Sequence, residues 1–357
     1  MKPILKCLTA LLFLLSFSIS QAQELGEFKP KDDTFGLGKL KSKPKKIYIS
    51  NFSINYQLFN EKEKTKKGGA LFRDKGVRGD ATAELIVGLG NLSENDFQKI
   101  TDSLYNDFEA QLKQKGFEII SAEVAGKTDT YKGWTKASGA KVEVSAMPGM
   151  ITAYPKDYTF YYEEKSKVGK YFGEKFAALD KTPQNLSKEL DDAIVVDVDL
   201  YVFFMKDLYA FQGNAANIKI KTQLSLVANE NVSAKSDDKS LVFRKKVEYA
   251  TGINSIQFVC GKYAIGGSAE SVYTGTLKKD LTIENVIDEK VIQSFAKGEA
   301  DVIGTETYFG KYYEAENKSS SKTTLIEVDT NKYQEGVFNA GKTFLDFHLN
   351  EFCKEFK

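Results

Sequence analysis

Two aspartates, Asp197 and Asp199, form the carboxylate pair whose spacing best suits chemistry. They lie in the run AIVVDVDLYVFF, where alternating apolar and polar positions predict a strand. Residues two apart on a strand are about 7 Å from each other, a separation that glycoside hydrolysis or a calcium site can use. Cross-strand ion pairs with Lys219 and Lys221 on the next predicted strand explain the same pattern, and we favour that structural explanation.

Histidine and cysteine, which often act in catalysis, have no companion residues at the spacing of a known catalytic or metal site. His348 is the only histidine, so neither a Ser-His-Asp triad nor a histidine-rich zinc site is indicated. It lies beside the apolar stripe of the last predicted helix, where a packed or surface histidine is expected. Cys260 and Cys353 could form a disulfide in an oxidising compartment or remain two separate buried thiols. We therefore expect no cofactor, no metal and no catalytic residue.

The stretch VGLGNLSENDF, residues 87–97, raises the question of a phosphate-binding loop. Ser93 stands where the dinucleotide fingerprint needs its third glycine. Ser93 and Asp96 instead have the spacing of a capping box, and apolar residues then recur every three or four positions until Gly116. The glycines are thus predicted to separate a strand from a helix, without binding a nucleotide.

A segment rich in tyrosine, phenylalanine and lysine, residues 154–176, is the candidate contact surface. Aromatic rings interleaved with lysines can stack on sugars or anchor a protein interface. An ordinary strand with buried aromatic residues is the alternative. The candidate interface residues are Tyr154, Tyr158, Tyr161, Tyr162, Lys165, Tyr171 and Phe172.

The first 22 residues are typical of a secretory signal peptide. Lys2 and Lys6 precede an apolar run over residues 8–19, and small residues place cleavage near Ala22. No later stretch is long and apolar enough for a transmembrane helix. We expect a periplasmic or secreted mature chain. Its near balance of 50 basic and 49 acidic residues argues against a nucleic-acid partner.

The mature chain is expected to form an α/β (α+β) fold, with a mixed, largely antiparallel sheet and helices packed on it. We predict an extended lead-in over residues 23–46 and a single domain over 47–357, with an irregular insertion at about 124–185. Strands are predicted at 47–57, 117–123, 193–204, 217–228 and 240–250, the last three as antiparallel neighbours, with a polar turn at 228–239. Helices are predicted at 94–115, from Thr182, at 280–297 and at the C-terminus, a solvated loop at 61–67 and a hairpin at 308–329.

This order of elements resembles the periplasmic α/β domain shared by the curli-secretion protein CsgG and the N-terminal domain of TolB. Leu104, Leu112 and residues 116–120 resemble the family's helix and its following G-F-E-I-I run, and DDAIVVDVDLYVFF resembles its central strand. These motifs cover about half of the mature chain. The lipobox cysteine is missing, and Asp197 or Val198 stands where the family commonly has glycine. The resemblance therefore implies the fold and not a secretion pore.

These observations favour an exported, non-enzymatic accessory or interaction protein of the bacterial cell envelope, as part of a secretion or surface-assembly complex. Its partners would be envelope proteins or glycan, and a homo-oligomer is left open. One alternative is a carbohydrate- or peptidoglycan-binding module that uses the 154–176 aromatic residues. Another is a glycan hydrolase that uses Asp197 and Asp199.

Overall fold

The fold is an α+β arrangement dominated by strands. The computed structural model describes residues 24–66, 81–139, 142–145, 147, 149–163, 181–208, 217–235, 247–295, 306–307, 310–311 and 321–356. Its strands are β1 Pro30–Phe35, β2 Lys46–Gln57, β3 Phe59–Lys66, β4 Ala81–Gly90, β5 Glu118–Ile119, β6 Thr135–Ser138, β7 Val142–Val144, β8 Met150–Ala153, β9 Thr159–Tyr162, β10 Ile194–Asp207, β11 Asn217–Leu226, β12 Glu230–Lys235, β13 Val247–Gly252, β14 Ser255–Lys262, β15 Ala269–Leu277, β16 Leu281–Thr282, β17 Val291–Phe295, β18 Glu306–Thr307, β19 Gly310–Lys311 and β20 Ser321–Glu327. Its α-helices are α1 Glu94–Gln114, α2 Ala122–Ala125, α3 Thr182–Glu189 and α4 Thr330–Cys353, with 3-10 turns at Leu37–Ser42 and Lys354–Phe356.

The centre of the large sheet is β10, the longest strand. One edge of β10 pairs in parallel with β2, while the other pairs first with β14 and then with β11, both antiparallel. The side chain of Asn254 fills the fork where these two partners diverge. Its amide donates to the Tyr201 and Val227 carbonyls at 2.9 and 2.7 Å, and its oxygen accepts from the Tyr201 amide. The backbone amide and carbonyl of Tyr201 therefore both have a hydrogen-bond partner at the fork.

One face of the large sheet is apolar and is covered by α1 and α4. Alternate residues of β2, including Phe52 and Tyr56, point towards these helices and are fully buried. The rings of Phe258 on β14 and Phe352 on α4 stack with their centroids 4.1 Å apart. This face forms the main core.

The opposite face is polar at its centre. We call the buried residues Asn51, Ser53, Asn55, Thr152 and Asp199 the polar strip. Along β10 the polar strip lies between two smaller apolar clusters. The first contains Tyr48, Tyr131, Leu186 and Val195, and the second contains Met147, Met150, Tyr201 and Phe203. Buried polar groups of this kind require hydrogen-bond partners.

A second sheet of three strands, in the order β20-β4-β3, lies beside the large one. β3 runs antiparallel to β4, and β20 runs parallel to it over its whole length. β20 is an edge strand of this sheet in the described part of the chain.

The predicted fold class is confirmed, as are several elements. α1 begins at the capping box of Ser93 and Asp96, in which the Ser93 amide donates to the Asp96 carboxylate at 2.8 Å. Gly116 follows α1 with a φ of +85°, the left-handed conformation that glycine adopts at low cost. Pro183 lies in the first turn of α3, and the C-terminal helix is present as α4.

The helix predicted at 280–297 is wrong. Leu281–Thr282 and Val291–Phe295 are strands that both pair antiparallel with β11. Asn285 between them has a φ of +61°, which a helix does not allow. The apolar spacing wrongly indicated a helix. Ile283 and Val286 are buried because they pack against distant elements of the main core, and not because they share one face of a helix.

Other predictions failed where strand pairing joins distant segments. The charged run at 61–67 lies mostly in β3, not in a loop, and the predicted strand at 117–123 has only two residues before α2 begins. The predicted turn at 228–239 contains β12, which pairs with β13. Residues 247–250 of the strand predicted at 240–250 therefore lie beside β12 and not beside β11, and residues 240–246 lie outside the described residues. In the hairpin predicted at 308–329, residues 321–327 form β20, which pairs in parallel with β4, while residues 308–309 and 312–320 lie outside the described residues.

The predicted lead-in is extended but belongs to the sheet. β1 pairs antiparallel with β15 across Pro30–Phe35, and Leu40 of the following 3-10 turn is fully buried. The predicted signal peptide, residues 1–22, lies outside the described residues, as does part of the predicted insertion, residues 164–180.

Candidate functional site

The carboxylates of Asp197 and Asp199 are held by the neighbouring parallel strand β2. The side-chain amide of Asn51 donates to Asp197 Oδ1 at 3.1 Å and to Asp199 Oδ1 at 2.9 Å. The Ser53 hydroxyl donates to the same Asp199 oxygen. The predicted ion pairs with Lys219 and Lys221 are wrong, because β11 pairs only with the second half of β10 and places Lys221 opposite Lys206. Lys221 instead pairs with Glu289 at 2.6 Å.

This geometry favours a structural role for the aspartate pair. Asp199 is only 9% exposed, and its partners Asn51 and Ser53 are neutral donors. A hydrolytic pair needs one carboxyl group free to exchange a proton with a substrate. Within the described ranges, no group of three or more histidine, cysteine, aspartate or glutamate side chains is arranged to hold a metal ion.

The described tyrosines of the candidate contact segment pack on other aromatic rings of the chain. Tyr158 is 4% exposed and donates from its hydroxyl to the Ile49 carbonyl at 3.2 Å. Tyr154 stacks on Phe160 with a centroid distance of 4.3 Å, and Tyr162 packs against the main core. Burial raises the pKa of the Tyr158 hydroxyl well above its usual range.

Tyr161 points to the other face of the antiparallel β6–β9 pair. Its ring stacks on Tyr131 with centroids 4.5 Å apart, and its hydroxyl donates to the Ala122 carbonyl at 3.0 Å. Lys165, Tyr171 and Phe172 lie outside the described residues. That the 154–176 segment contacts a partner thus stays a prediction, and Tyr158 is the residue whose burial speaks most strongly against a direct role.

The single histidine is part of the core. His348 on α4 is fully buried, with Nδ1 2.8 Å from the Tyr273 hydroxyl and Nε2 3.2 Å from the Thr276 carbonyl. A carbonyl only accepts, so Nε2 carries the hydrogen and Nδ1 accepts from Tyr273. Burial lowers the pKa of His348 to about 4. This imidazole is therefore neutral at physiological pH and has a packing role.

The two thiols are not joined in a disulfide. Cys260 is buried on β14, and its Sγ lies 3.2 Å from the Asp192 carbonyl. Burial raises the pKa of the Cys260 thiol to about 11. Because the thiolate is the reactive form, Cys260 is not a nucleophile at neutral pH.

Among the described residues, a groove along β20 has the shape of a binding site. It has a volume of about 680 Å³, within the usual range of ligand sites. Residues Thr324–Glu327 form one wall and residues 286–292 the other. Leu325 and Val291 on these walls are 47% and 54% exposed, and they are two of only five large apolar side chains exposed to this degree in the described ranges.

The groove continues into a second depression of about 480 Å³ that shares residues 286–288 with it. Together the two depressions are lined by five acidic side chains and two lysines: Glu284, Asp288, Glu289, Glu327 and Asp329 against Lys290 and Lys332. Lys290 beside Asp288 lowers the pKa of that carboxyl, and hydrogen bonds from Lys221 and Gln223 lower the pKa of Glu289. Acidic side chains outnumber basic ones along the lining, so the groove favours a partner of positive charge.

Gly88 and Gly90 of the VGLGN stretch leave space for the Leu325 side chain on the neighbouring strand. Gly88 and Gly90 lie in β4 beside β20, and a Cβ atom at Gly90 would meet the Leu325 side chain at 3.3 Å. Leu325 and Val291 were not predicted from the sequence to be surface residues of a site. The available signal was Leu325 itself, which alternates with Thr323 and Glu327 on the polar side of the run SKTTLIE.

No protein-family model, curated protein or solved structure matches this chain. The resemblance to the domain shared by CsgG and TolB therefore stays a prediction. Among the helices that the structure describes, none combines the length and the apolar character needed to cross a membrane.

Proposed function

We propose that this protein is an exported, non-enzymatic interaction component of the bacterial cell envelope that binds a protein partner through the groove along β20. The observation that carries the proposal is the exposure of Leu325 and Val291 on facing walls of one groove. The predicted signal peptide supports export, and the same surface would serve in a secretion or surface-assembly complex.

Exposed apolar side chains gathered at one concave site are a common mark of an interaction surface. Burying a leucine or valine side chain contributes roughly 1.5–3 kcal/mol. Leu325 and Val291 are both about half exposed, so a partner that covers them recovers part of that free energy. The other exposed apolar residues, such as Ile265 on the β14–β15 turn, do not line this groove.

The alternative functions receive less support. Sugar-binding aromatic residues need an exposed ring face, whereas Tyr154, Tyr158 and Tyr161 stack on other rings of the chain. A glycan hydrolase would need an accessible carboxylate pair. Asp199 is instead buried, and it accepts hydrogen bonds from Asn51 and Ser53.

Affinity purification of the tagged mature protein from detergent-solubilised envelopes tests the proposal. We expect a stoichiometric protein partner with the wild type and with the Ile265→Asp variant, since Ile265 is 93% exposed and lies outside the groove. The Leu325→Asp variant should lose that partner. A partner retained by Leu325→Asp, or the absence of any partner in the wild type, would contradict the proposal.

A further inference from the structure

We propose that the groove binds an extended polypeptide segment, with lysine or arginine side chains among apolar ones, as an added strand on the edge of β20. This inference rests on the proposed function and names the chemistry of the partner. Strand addition supplies affinity through main-chain hydrogen bonds and specificity through alternate side chains.

The groove follows the outer edge of β20, where its backbone N–H and C=O groups lie. Side chains alternate between the two faces of a strand, so four consecutive residues can line one groove only where the groove follows the edge of the strand. Residues Thr324–Glu327 do so. β4 occupies the inner edge of β20, and the order β20-β4-β3 leaves β20 at the border of its sheet in the described part of the chain.

The edge strands β1 and β3 carry protection against strand addition that the centre of β20 lacks. β1 begins with Pro30 and continues with Lys31, Asp32 and Asp33, and β3 has the sequence FNEKEKTK. Proline and dense charge discourage pairing at an edge. β20 presents Leu325 between threonine and isoleucine, and the facing wall presents Val291 at the start of another edge strand, β17.

The charge of the groove selects the partner. Five acidic side chains outnumber the two lining lysines even when Lys221, which pairs with Glu289, is counted with them. The groove therefore repels an acidic segment and attracts a basic one. Glu327 is exposed at the end of β20, where it can pair with a lysine of the added strand.

The test uses the full mature chain and labelled octapeptides as probes, with fluorescence anisotropy as the readout. The first peptide alternates valine and lysine, the second alternates valine and glutamate, and the third is the first with every backbone nitrogen methylated. We expect the lysine peptide to bind at least tenfold more tightly than the other two. Its affinity should fall as salt rises, because charge attraction is screened.

Reversing the charge of Glu327 distinguishes a loss of peptide binding from a loss of folding. Glu327→Lys should weaken the lysine peptide by about three- to fivefold and tighten the glutamate peptide by a similar factor, the effect of one exposed ion pair. A gain for the glutamate peptide cannot arise from misfolding. Ile265→Asp, outside the groove, should leave both affinities unchanged.

Two results would overturn the inference. Equal binding of the methylated peptide would exclude main-chain pairing, and equal or absent binding of the lysine and glutamate peptides would exclude a basic strand. Either result leaves the proposed function intact if the envelope partner is still lost in Leu325→Asp. If Leu325→Asp instead retains the envelope partner, the proposed function itself is contradicted.

Discussion

The side-chain amide of Asn51 on β2 donates to the carboxylate of Asp199 on β10 at 2.9 Å, inside the polar strip. The same amide also donates to Asp197 and to the Val198 carbonyl at 2.9 Å. Asn51 therefore satisfies groups that β10 buries, and the aspartate pair depends on a residue nearly 150 positions earlier in the chain.

Replacing Asn51 by leucine should destabilise the fold by about 1–3 kcal/mol, because buried acceptors lose their donor. Urea unfolding measures this change. The double variant Asn51→Leu/Asp199→Leu should cost less than the sum of its single variants, since it removes donor and acceptor together. A loss below about 0.5 kcal/mol in Asn51→Leu, a typical value for surface changes, would show that the polar strip is not held by this residue.

Stability should fall between pH 6.5 and pH 4 because of His348. Its pKa is about 4 in the folded state against 6.5 for an unperturbed histidine, so the folded state binds fewer protons in this range. The stabilising contribution is complete above pH 6.5 and is lost as pH falls towards 4. The full difference corresponds to about 3 kcal/mol at 1.36 kcal/mol per unit.

The chain itself provides the control for this pH effect, because His348 is the only histidine. In His348→Leu the part of the pH dependence above pH 5 should vanish, while carboxylate titration at lower pH remains. The groups that face the ring, namely Tyr273, Asp32 and Glu351, are unchanged in that variant. Identical pH profiles for the wild type and His348→Leu would refute a buried neutral histidine.

Gly275 on β15 makes room for the His348 ring. A Cβ atom at this position would lie 2.3 Å from His348 Nδ1, so Gly275→Ala must displace the ring from Tyr273. We expect a loss of about 1–3 kcal/mol, typical of overpacking a core. Gly38→Ala is the matched control, because no atom lies within 4 Å of its added Cβ. Equal melting temperatures for the two variants would argue against the close packing of β15 and α4.

Local patterns predicted the elements whose burial follows their own sequence. The alternation in β10 and the capping box of Ser93 and Asp96 were confirmed because both depend on residues close in sequence. The C-terminal helix α4 was confirmed for the same reason, and its apolar stripe carries His348 into the core.

Long-range pairing explains the failures. The partners of Asp197 and Asp199 are Asn51 and Ser53 on β2, whose parallel pairing with β10 no local signal reveals. The apolar spacing of residues 280–297 suits a helix as well as two short strands, and only the pairing with β11 decides between them. Leu325 was missed because a single apolar residue has meaning only once β20 is known to be an edge.

Photocrosslinking in cells tests whether a protein partner binds in the groove along β20. A photoreactive amino acid is placed at Leu325, at Val291 or at Ile265, all of them exposed positions. We expect one shared crosslinked partner from Leu325 and Val291 and none from Ile265. No adduct from the two groove positions, or the same adduct from Ile265, would contradict a partner bound along β20.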